Sequence, residues 1–509
     1  MMLARIFSAT VFGIEPSLVA VEVSFRKGLR KIFLVGLPDT AVRESQVRVI
    51  SALLNAGFRL PRQTITVSLA PAELKKQGSG FDLPIAMGIL ASNGEMPTQI
   101  LQNYLMVGEL SLDSSVRPIN GMLSIASESR KMGFTKLIVP ADNATEASYV
   151  HGIEIYPVHS LRQAIAFLKG IEKINPYPTT EYLPYANCPD TNLDMLDVRG
   201  QQYAKRALEV AVAGGHTILL VGPPGSGKTL MAQRIPSIMP PLTWNEAIET
   251  TKIHSVAGSL NKKGILSVPP FRAPHHTISY AGLSGGGQIP KPGEISLAHN
   301  GVLFLDEFPE FQRNVLENLR QPLENGFIRI SRAACSIVYP ARFMLVAAMN
   351  PCPCGFYTDP QRICKCTPHE VKRYMGRISG PLLDRIDMNI SLPPVRAEEL
   401  LRKFPDGESS TTIRKRVIAA RNIQYERLKH DAFYTNSQMS NHHLERYCYL
   451  STECQSLLDT AIKSMNLTAR AFHRIIKVSR TIADLNNCPD INESHLAEAI
   501  QYRSCDRFY

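Results

Sequence analysis

Apolar residues along this chain recur with two different periods, and the period changes from one stretch to the next. Residues 32–35, 64–69 and 136–139 are short aliphatic and β-branched runs with the length and composition of buried strands. Between them, residues 41–55, 83–91 and 124–131 carry apolar side chains at helical spacing. This alternation predicts an α/β unit over residues 1–172. The first 23 residues alternate like a strand and hold Arg5 and Glu15 within their apolar part, which is not the layout of a secretory signal. Residues 173–196 are rich in Pro, Tyr, Thr and Asn without a period and read as a linker. A second α/β unit is expected over 197–396. From 397 to 509 the apolar positions keep only helical spacing, which predicts a helical domain.

The strands of the second unit end in chemistry. Residues 217–221 are an apolar β-branched run, and Leu230 to Ile235 read as the first turns of a helix. Between them stand Gly222, Pro223, Pro224, Gly225, Ser226, Gly227, Lys228 and Thr229, the G-x-x-x-x-G-K-[ST] phosphate loop in its strand–loop–helix setting. Glycines let backbone N–H groups face phosphate oxygens, and the helix N-terminus adds partial positive charge. Lys228 can reach the β- and γ-phosphates, and the Thr229 hydroxyl can ligate Mg²⁺. Binding of ATP with Mg²⁺ is the expectation.

Two further strands supply the remaining groups. Residues 302–305 lead into Asp306 and Glu307. A phosphate-loop ATPase needs one carboxylate to hold Mg²⁺ and one to activate the attacking water, roles that suit Asp306 and Glu307 in turn. Residues 343–349 end at Asn350, whose amide is placed to orient that water, although an asparagine before Pro351 is also a common turn. Residues 326–332 and 336–339 alternate about a short turn and predict a β-hairpin carrying Arg329 and Arg332.

Four of the ten cysteines, Cys352, Cys354, Cys364 and Cys366, form two C-x-C pairs in a Pro- and Gly-containing insertion at 351–367. Two such pairs can close a tetrahedral Zn²⁺ site. Reduced structural thiols and a redox pair are the other readings. The segment is too polar to bury four free thiols, which favours structural zinc.

Composition adds little to this. Hydrophobic and charged fractions of 44% and 20% are those of ordinary globular protein. No apolar run reaches the ~20 residues needed to span a membrane. Cysteines without a signal segment fit a reducing, cytoplasmic setting. A formal charge of +11 inclines toward an anionic partner such as nucleic acid.

The order of phosphate loop, Asp-Glu strand and Asn strand is that of AAA+ proteins. Longer motifs make the likeness specific: Asp197-Val198-Arg199-Gly200-Gln201, Phe271-Arg272-Ala273-Pro274-His275-His276-Thr277, Pro292-Gly293-Glu294-Ile295-Ser296-Leu297-Ala298-His299-Asn300-Gly301, Asn350-Pro351-Cys352-Pro353-Cys354-Gly355 and Ser379-Gly380-Pro381-Leu382-Leu383-Asp384-Arg385-Ile386-Asp387. Together they resemble the magnesium-chelatase-like ATPases, which are related to the MCM helicases, and within them the bacterial YifB/ComM family. The resemblance covers nearly the whole chain. It implies an AAA+ core with a C-terminal α-helical lid, a homo-hexameric ring, and DNA branch migration in natural transformation. It assigns Arg385 as an arginine finger, with Arg377 the runner-up. It assigns Arg470 as a sensor arginine on the lid, although Arg470, Arg474, Lys477 and Arg480 also follow the spacing of one solvated helix face. It implies that the hairpin faces a central channel, where Arg329 and Arg332 would touch DNA phosphates. A solvent-facing hairpin is the plainer alternative, and the Gly-rich segment from Gly285 to Lys291 is a second candidate contact.

The N-terminal unit resembles the Lon protease catalytic domain through Gly36-Leu37-Pro38-Asp39, Leu69-Ala70-Pro71-Ala72-Glu73-Leu74-Lys75-Lys76 and Gly108-Glu109-Leu110-Ser111-Leu112-Asp113. Ser79 is displaced from the nucleophile position, and Asn120-Gly121-Met122-Leu123-Ser124-Ile125 carries no lysine where a base would stand, so peptidase activity is not expected. Three functions remain to be weighed: a DNA-moving motor, a protein or metal-chelatase-type remodeller that binds no DNA, and a nucleotide-binding scaffold. The presence of Glu307, Asn350 and Arg385 together argues against the scaffold.

Overall fold

The computed structural model describes residues 3–29, 31–76, 78–184, 193–260, 264–287, 290–332, 335–357, 359, 362–395, 407–431, 433–465 and 467–503. Residues 185–192 of the linker, residues 396–406 at the division between ATPase core and helical domain, and residues 288–289 of the Gly-rich segment lie outside them. The chain forms two compact units: Met1–Leu183 together with Trp244–Leu266, and Pro184–Thr243 together with Ser267–Tyr509.

The first unit is built on a seven-stranded sheet in the order Lys31–Val35, Gln63–Ala70, Glu15–Lys27, Ala4–Phe12, Leu105–Met106, Lys136–Pro140 and Glu154–Val158. The N-terminal alternation resolves into a hairpin, with Ala4 opposite Val23 and Phe12 opposite Glu15. The pairs beyond Ala4–Phe12 on the Leu105 side are parallel. Helix Thr40–Asn55 begins where the Asp39 side chain accepts a hydrogen bond from the Val42 N–H at 2.8 Å. Helix Asp82–Ser92 is buried along nearly its whole length, so its apolar residues run round all faces. Its first residue is charged, and the buried Asp82 carboxylate is met by the Arg48 guanidinium at 2.6 Å and the Leu110 N–H at 3.1 Å. Burial pushes Asp82 above the usual carboxylate range, and these partners only partly offset it.

Helix Trp244–Ala257 falls in sequence between two strands of the expected ATPase core, yet it belongs to this first unit. There the Gly121 N–H donates to Ser255 Oγ at 2.9 Å, Ser255 in turn donates to Glu146, and Lys252 lies 3.7 Å from Glu128. The segment expected as one continuous core from 197 to 396 is therefore interrupted at 244–266. Helical spacing shows that a helix will be buried but not against which core, which is why the sequence did not reveal this.

The second unit holds a five-stranded, all-parallel sheet in the order Phe271–Arg272, Val302–Leu305, Met344–Met349, Ile218–Val221 and Met388–Ser391. Every residue of the three inner strands is buried, as their unbroken apolar runs predict for a sheet covered on both faces. Each large aliphatic side chain so buried contributes about 1.5–3 kcal/mol. The strand that comes first in the chain is inserted late in the sheet: Ile218–Val221 lies between the two that come last in the chain. Brought side by side in this way, the C-terminal ends of three strands deliver the phosphate loop, Asp306 and Asn350 to one edge. Helices Ser410–Leu428, Asn441–Tyr447, Thr452–Met465, Ala469–Leu485 and Glu493–Gln501 complete the unit, and their apolar faces share one core with the sheet.

Candidate active site

The phosphate loop is anchored at both ends. The Gly222 N–H donates to the Met349 carbonyl at 3.2 Å, and helix Lys228–Ile238 takes up the last two residues of the loop. The Lys228 ammonium donates to the carbonyls of Gly222 at 2.7 Å and Pro223 at 2.9 Å, and to Asn350 Oδ1 at 3.2 Å. Burial pulls its pKa down to about 8, against the opposing charge of Asp306. A polyphosphate in the loop supplies the negative charge that this buried cation needs.

Thr229 Oγ1 donates to Asp306 Oδ2 at 2.6 Å. The hydroxyl and carboxylate expected to share a magnesium ion thus converge from a helix and a strand far apart in sequence. Glu307 follows with φ 51°, a left-handed backbone uncommon for a residue with a side chain. That turn separates its carboxylate from that of Asp306 and aims it elsewhere; its side chain is 59% exposed. Its partner is His276, whose Nδ1 lies 3.1 Å from Glu307 Oε2. His276 follows the edge strand Phe271–Arg272, and its ring stacks near His275 with centroids 4.1 Å apart. Composition and spacing gave His276 no role; its only signal was its place in the Ala-Pro-His-His motif.

Lys228, Thr229, Asp306 and Asn350 therefore come together as expected. Arg385 does not join them within the chain. It is 9% exposed, donates to the Pro381 carbonyl and pairs with Glu324. Both of these contacts lie within its own chain. Arg377 pairs with Glu310 at 2.6 Å and is about half exposed. Arg470 is exposed in the first turn of helix Ala469–Leu485.

One turn further along that helix, Arg474 pairs with the buried Asp387 carboxylate. Asp387 also accepts from the Thr217 N–H at 3.0 Å, and His216 Nδ1 lies at 3.5 Å. Burial alone would raise this carboxyl, but the Arg474 charge and the His216 and Thr217 contacts hold it far below its usual range. The helical face read as solvated is thus split. Arg470 faces water, while Arg474, Lys477 and Arg480 reach protein partners.

The hairpin forms as predicted, Phe327–Arg332 against Cys335–Pro340, with Arg332 opposite Cys335. Ile328, Ile330, Ile337 and Tyr339 face inward, while Arg329 and Arg332 are exposed. The Gly-rich segment packs on it: Tyr339 Oη donates to the Pro290 carbonyl at 2.8 Å. Arg332 Nη2 lies 3.3 Å from where a Cβ on Gly286 would sit. The two candidate DNA contacts are one substructure.

The four cysteines also converge. Cys352 Sγ lies 3.3 Å from Cys354 Sγ and 3.7 Å from Cys364 Sγ, Cys354 lies 3.5 Å from Cys364, and all four sulfurs fall within 4.8 Å of one another. Sulfurs around one tetrahedral zinc at ~2.3 Å stand about 3.8 Å apart, so the donor set fits that ion. Burial would raise the Cys354 thiol, yet backbone N–H groups of Phe356 and Lys365 bring it down to about 6, while Cys364 and Cys366 beside it are pushed up, so one thiolate is favoured among the four.

In the N-terminal unit Ser79 donates to Glu109 rather than to a lysine, and the buried Lys76 ammonium donates to the Pro71 carbonyl. Neither arrangement activates a serine.

Comparison with known proteins agrees with this architecture. Residues 194–400 match the family described as magnesium chelatase, subunit ChlI; residues 21–143 match subunit ChlI of Mg-chelatase; residues 407–503 match the ChlI C-terminal family. The chain is 45% identical over 509 residues to competence protein ComM of Haemophilus influenzae, covering 100% of this chain and 98% of that protein. It is 41% identical over 507 residues to the uncharacterized protein YifB of Escherichia coli (strain K12), covering 100% of this chain and 98% of that one. A magnesium-chelatase subunit ChlI of Guillardia theta is 24% identical over 236 residues, 41% of this chain and 60% of that protein. A phosphate loop, its acidic partners and full-length similarity coincide, and the chain belongs to the YifB/ComM family of magnesium-chelatase-like AAA+ ATPases, which act on ATP with Mg²⁺.

Proposed function

We propose that the chain is an ATP-driven ring motor on DNA, a helicase or branch-migration factor that promotes recombination in natural transformation. The observation that carries this reading is the paired hairpin substructure. Two exposed arginines, Arg329 and Arg332, stand on a hairpin braced by a second loop, in the same compact unit as the nucleotide site. Such arginines hold phosphates without reading sequence, which suits a motor that must step along any DNA. The name of the competence protein relative points the same way.

In this reading Lys228 and the loop N–H groups hold the β- and γ-phosphates, and Thr229 and Asp306 hold Mg²⁺, which neutralises charge developing on the phosphates. Glu307 takes the proton of the attacking water, and Asn350 orients that water. Arg385 of one subunit completes the site of the next in a homo-hexamer, and Arg470 on the helical lid senses the nucleotide. The N-terminal unit has the Lon-type fold without peptidase chemistry and either binds DNA or shapes the ring. Cys352, Cys354, Cys364 and Cys366 hold a structural zinc ion. The cytoplasm is the expected compartment; among the described residues no helix is long and apolar enough to cross a membrane.

The second reading is a chelatase-type remodeller that powers a partner protein and binds no DNA. It is favoured by the family matches, which all carry the name of a magnesium-chelatase subunit. An ATPase assay with and without forked or three-stranded DNA separates the two. Stimulation with strand movement, and weaker binding with a flatter salt slope in the Arg329→Ala/Arg332→Ala double variant, support the motor. Absence of DNA binding at low salt favours the remodeller, and wild-type DNA binding by the double variant removes the hairpin from the contact.

A further inference from the structure

The cysteine cluster occupies a particular place relative to the nucleotide site. Asn350, which contacts Lys228, precedes Cys352 by two residues. Cys366 immediately precedes Thr367, which caps helix Pro368–Met375. That helix returns the chain to its starting point: the buried Tyr374 phenol sits against the Asn350 backbone. The described residues from 350 to 374 thus begin and end at Asn350, with the four cysteines between.

The same loop touches the phosphate loop. Gly355 is buried, with its N–H donating to the Cys352 carbonyl at 3.0 Å. Its φ is +84°, and a Cβ there would meet Pro224 Cδ at 2.5 Å and Pro224 Cγ at 2.8 Å. Pro224 lies in the middle of the phosphate loop. One face of that loop is therefore supported by the residue next to a cysteine ligand, and its neighbour Asn350 is supported by the two ends of the cysteine-bearing segment.

We propose that a thiolate-held divalent metal of the zinc class is a structural part of the nucleotide site, so that affinity for ATP depends on metal occupancy of the four cysteines. This rests on the zinc reading above. Three of the sulfurs stand 3.3–3.7 Å apart and all four lie within 4.8 Å, so that, once ionised, they repel one another unless a cation lies between them. With the ion bound, the loop is cross-linked at both C-x-C pairs, Gly355 is fixed beneath Pro224 and Asn350 is fixed beside Lys228. Without it, the short segment between the two C-x-C pairs loses that cross-link. Preorganisation of the phosphate loop is then lost, and the nucleotide must supply the ordering free energy on binding.

The test uses the full chain. Metal content is measured by mass spectrometry, and affinity is measured with a fluorescent non-hydrolysable ATP analogue plus Mg²⁺. Both are repeated after zinc is stripped by chelation under reducing conditions and after zinc is restored. About one zinc per chain is expected, with at least a tenfold loss of affinity on stripping and recovery on restoration. Gly355→Ala gives a second measurement that leaves all four thiols in place. It should retain zinc yet bind the analogue at least tenfold more weakly, and it decides the matter should stripped protein unfold by circular dichroism. Protein that neither carries nor takes up zinc overturns the zinc reading itself. Protein that carries zinc but binds the analogue with unchanged affinity, both after stripping and as Gly355→Ala, overturns the coupling alone.

Discussion

The imidazole Nδ1 of His276 stands 3.1 Å from Glu307 Oε2, so the carboxylate proposed to activate water is tied to a side chain from the turn after the neighbouring edge strand. A base engaged in that contact is not free to accept a proton from water. Replacing His276 with Ala should raise DNA-free ATP hydrolysis several-fold, shrink any stimulation by DNA, and leave nucleotide affinity unchanged. Steady-state turnover beside analogue binding reads all three. Glu307→Gln sets the floor, with hydrolysis reduced by roughly 10²–10⁴ and binding kept. A His276→Ala protein as slow as Glu307→Gln would mean that the histidine assists the base instead of restraining it.

Arg385 makes its contacts within its own chain, to Glu324 and the Pro381 carbonyl. If its catalytic partner is the next subunit, two inactive proteins should rescue each other. Arg385→Ala should lose roughly 10³–10⁵ in turnover, the usual worth of a finger. Mixed with Glu307→Gln, it should regain hydrolysis, because some sites then combine an intact Glu307 with an intact Arg385 from the neighbour. Titration of one variant against the other measures this, and a mixture no faster than its components argues for a role inside one chain.

Asp387 joins Arg474 of the helical segment to Thr217 beside the phosphate-loop strand. Its folded pKa is depressed, so its contribution to stability is complete above the unfolded carboxylate value near 3.9 and declines as pH falls through that value toward the folded one. Thermal melts of the wild type should lose ground in acid below about pH 4 through this group. Asp387→Asn should be less stable by about 3–5 kcal/mol at neutral pH, since it strands the Arg474 charge, and the difference from wild type should narrow in acid. A gap that stays constant from pH 7 to 3 would assign the loss to packing.

Much of this was legible beforehand, and the division follows physical lines. Asp306 and Asn350 each end a short apolar run, and Lys228 and Thr229 close the glycine loop that follows another, so local pattern sufficed. The cysteine cluster and the hairpin were legible for the same reason, since each is closed by residues near in sequence. Partners distant in sequence were not. Arg470 and Arg474 have equal claims by helical spacing; only Asp387, brought up by the last strand of the sheet, distinguishes them. His276 acquires its meaning from a strand pairing between Phe271–Arg272 and Val302–Leu305. The meeting of Tyr339 with Pro290 unites two segments that had looked like rival candidates.

The helix Trp244–Ala257 bears on how this protein is dissected. The chain departs after Thr243 and returns at Ser267, and the Leu242 N–H bonds the Ser267 carbonyl at 2.9 Å, so the exit and re-entry points are adjacent. A truncation beginning at residue 184 would leave the buried side of that helix, with Ala247, Ile253 and His254, without the residues that cover it. Such a fragment invites aggregation that has nothing to do with ATPase chemistry. Splicing a short turn across Leu242 and Ser267 is the cleaner way to isolate the hydrolytic half, and the excised helix is best expressed joined to residues 1–183.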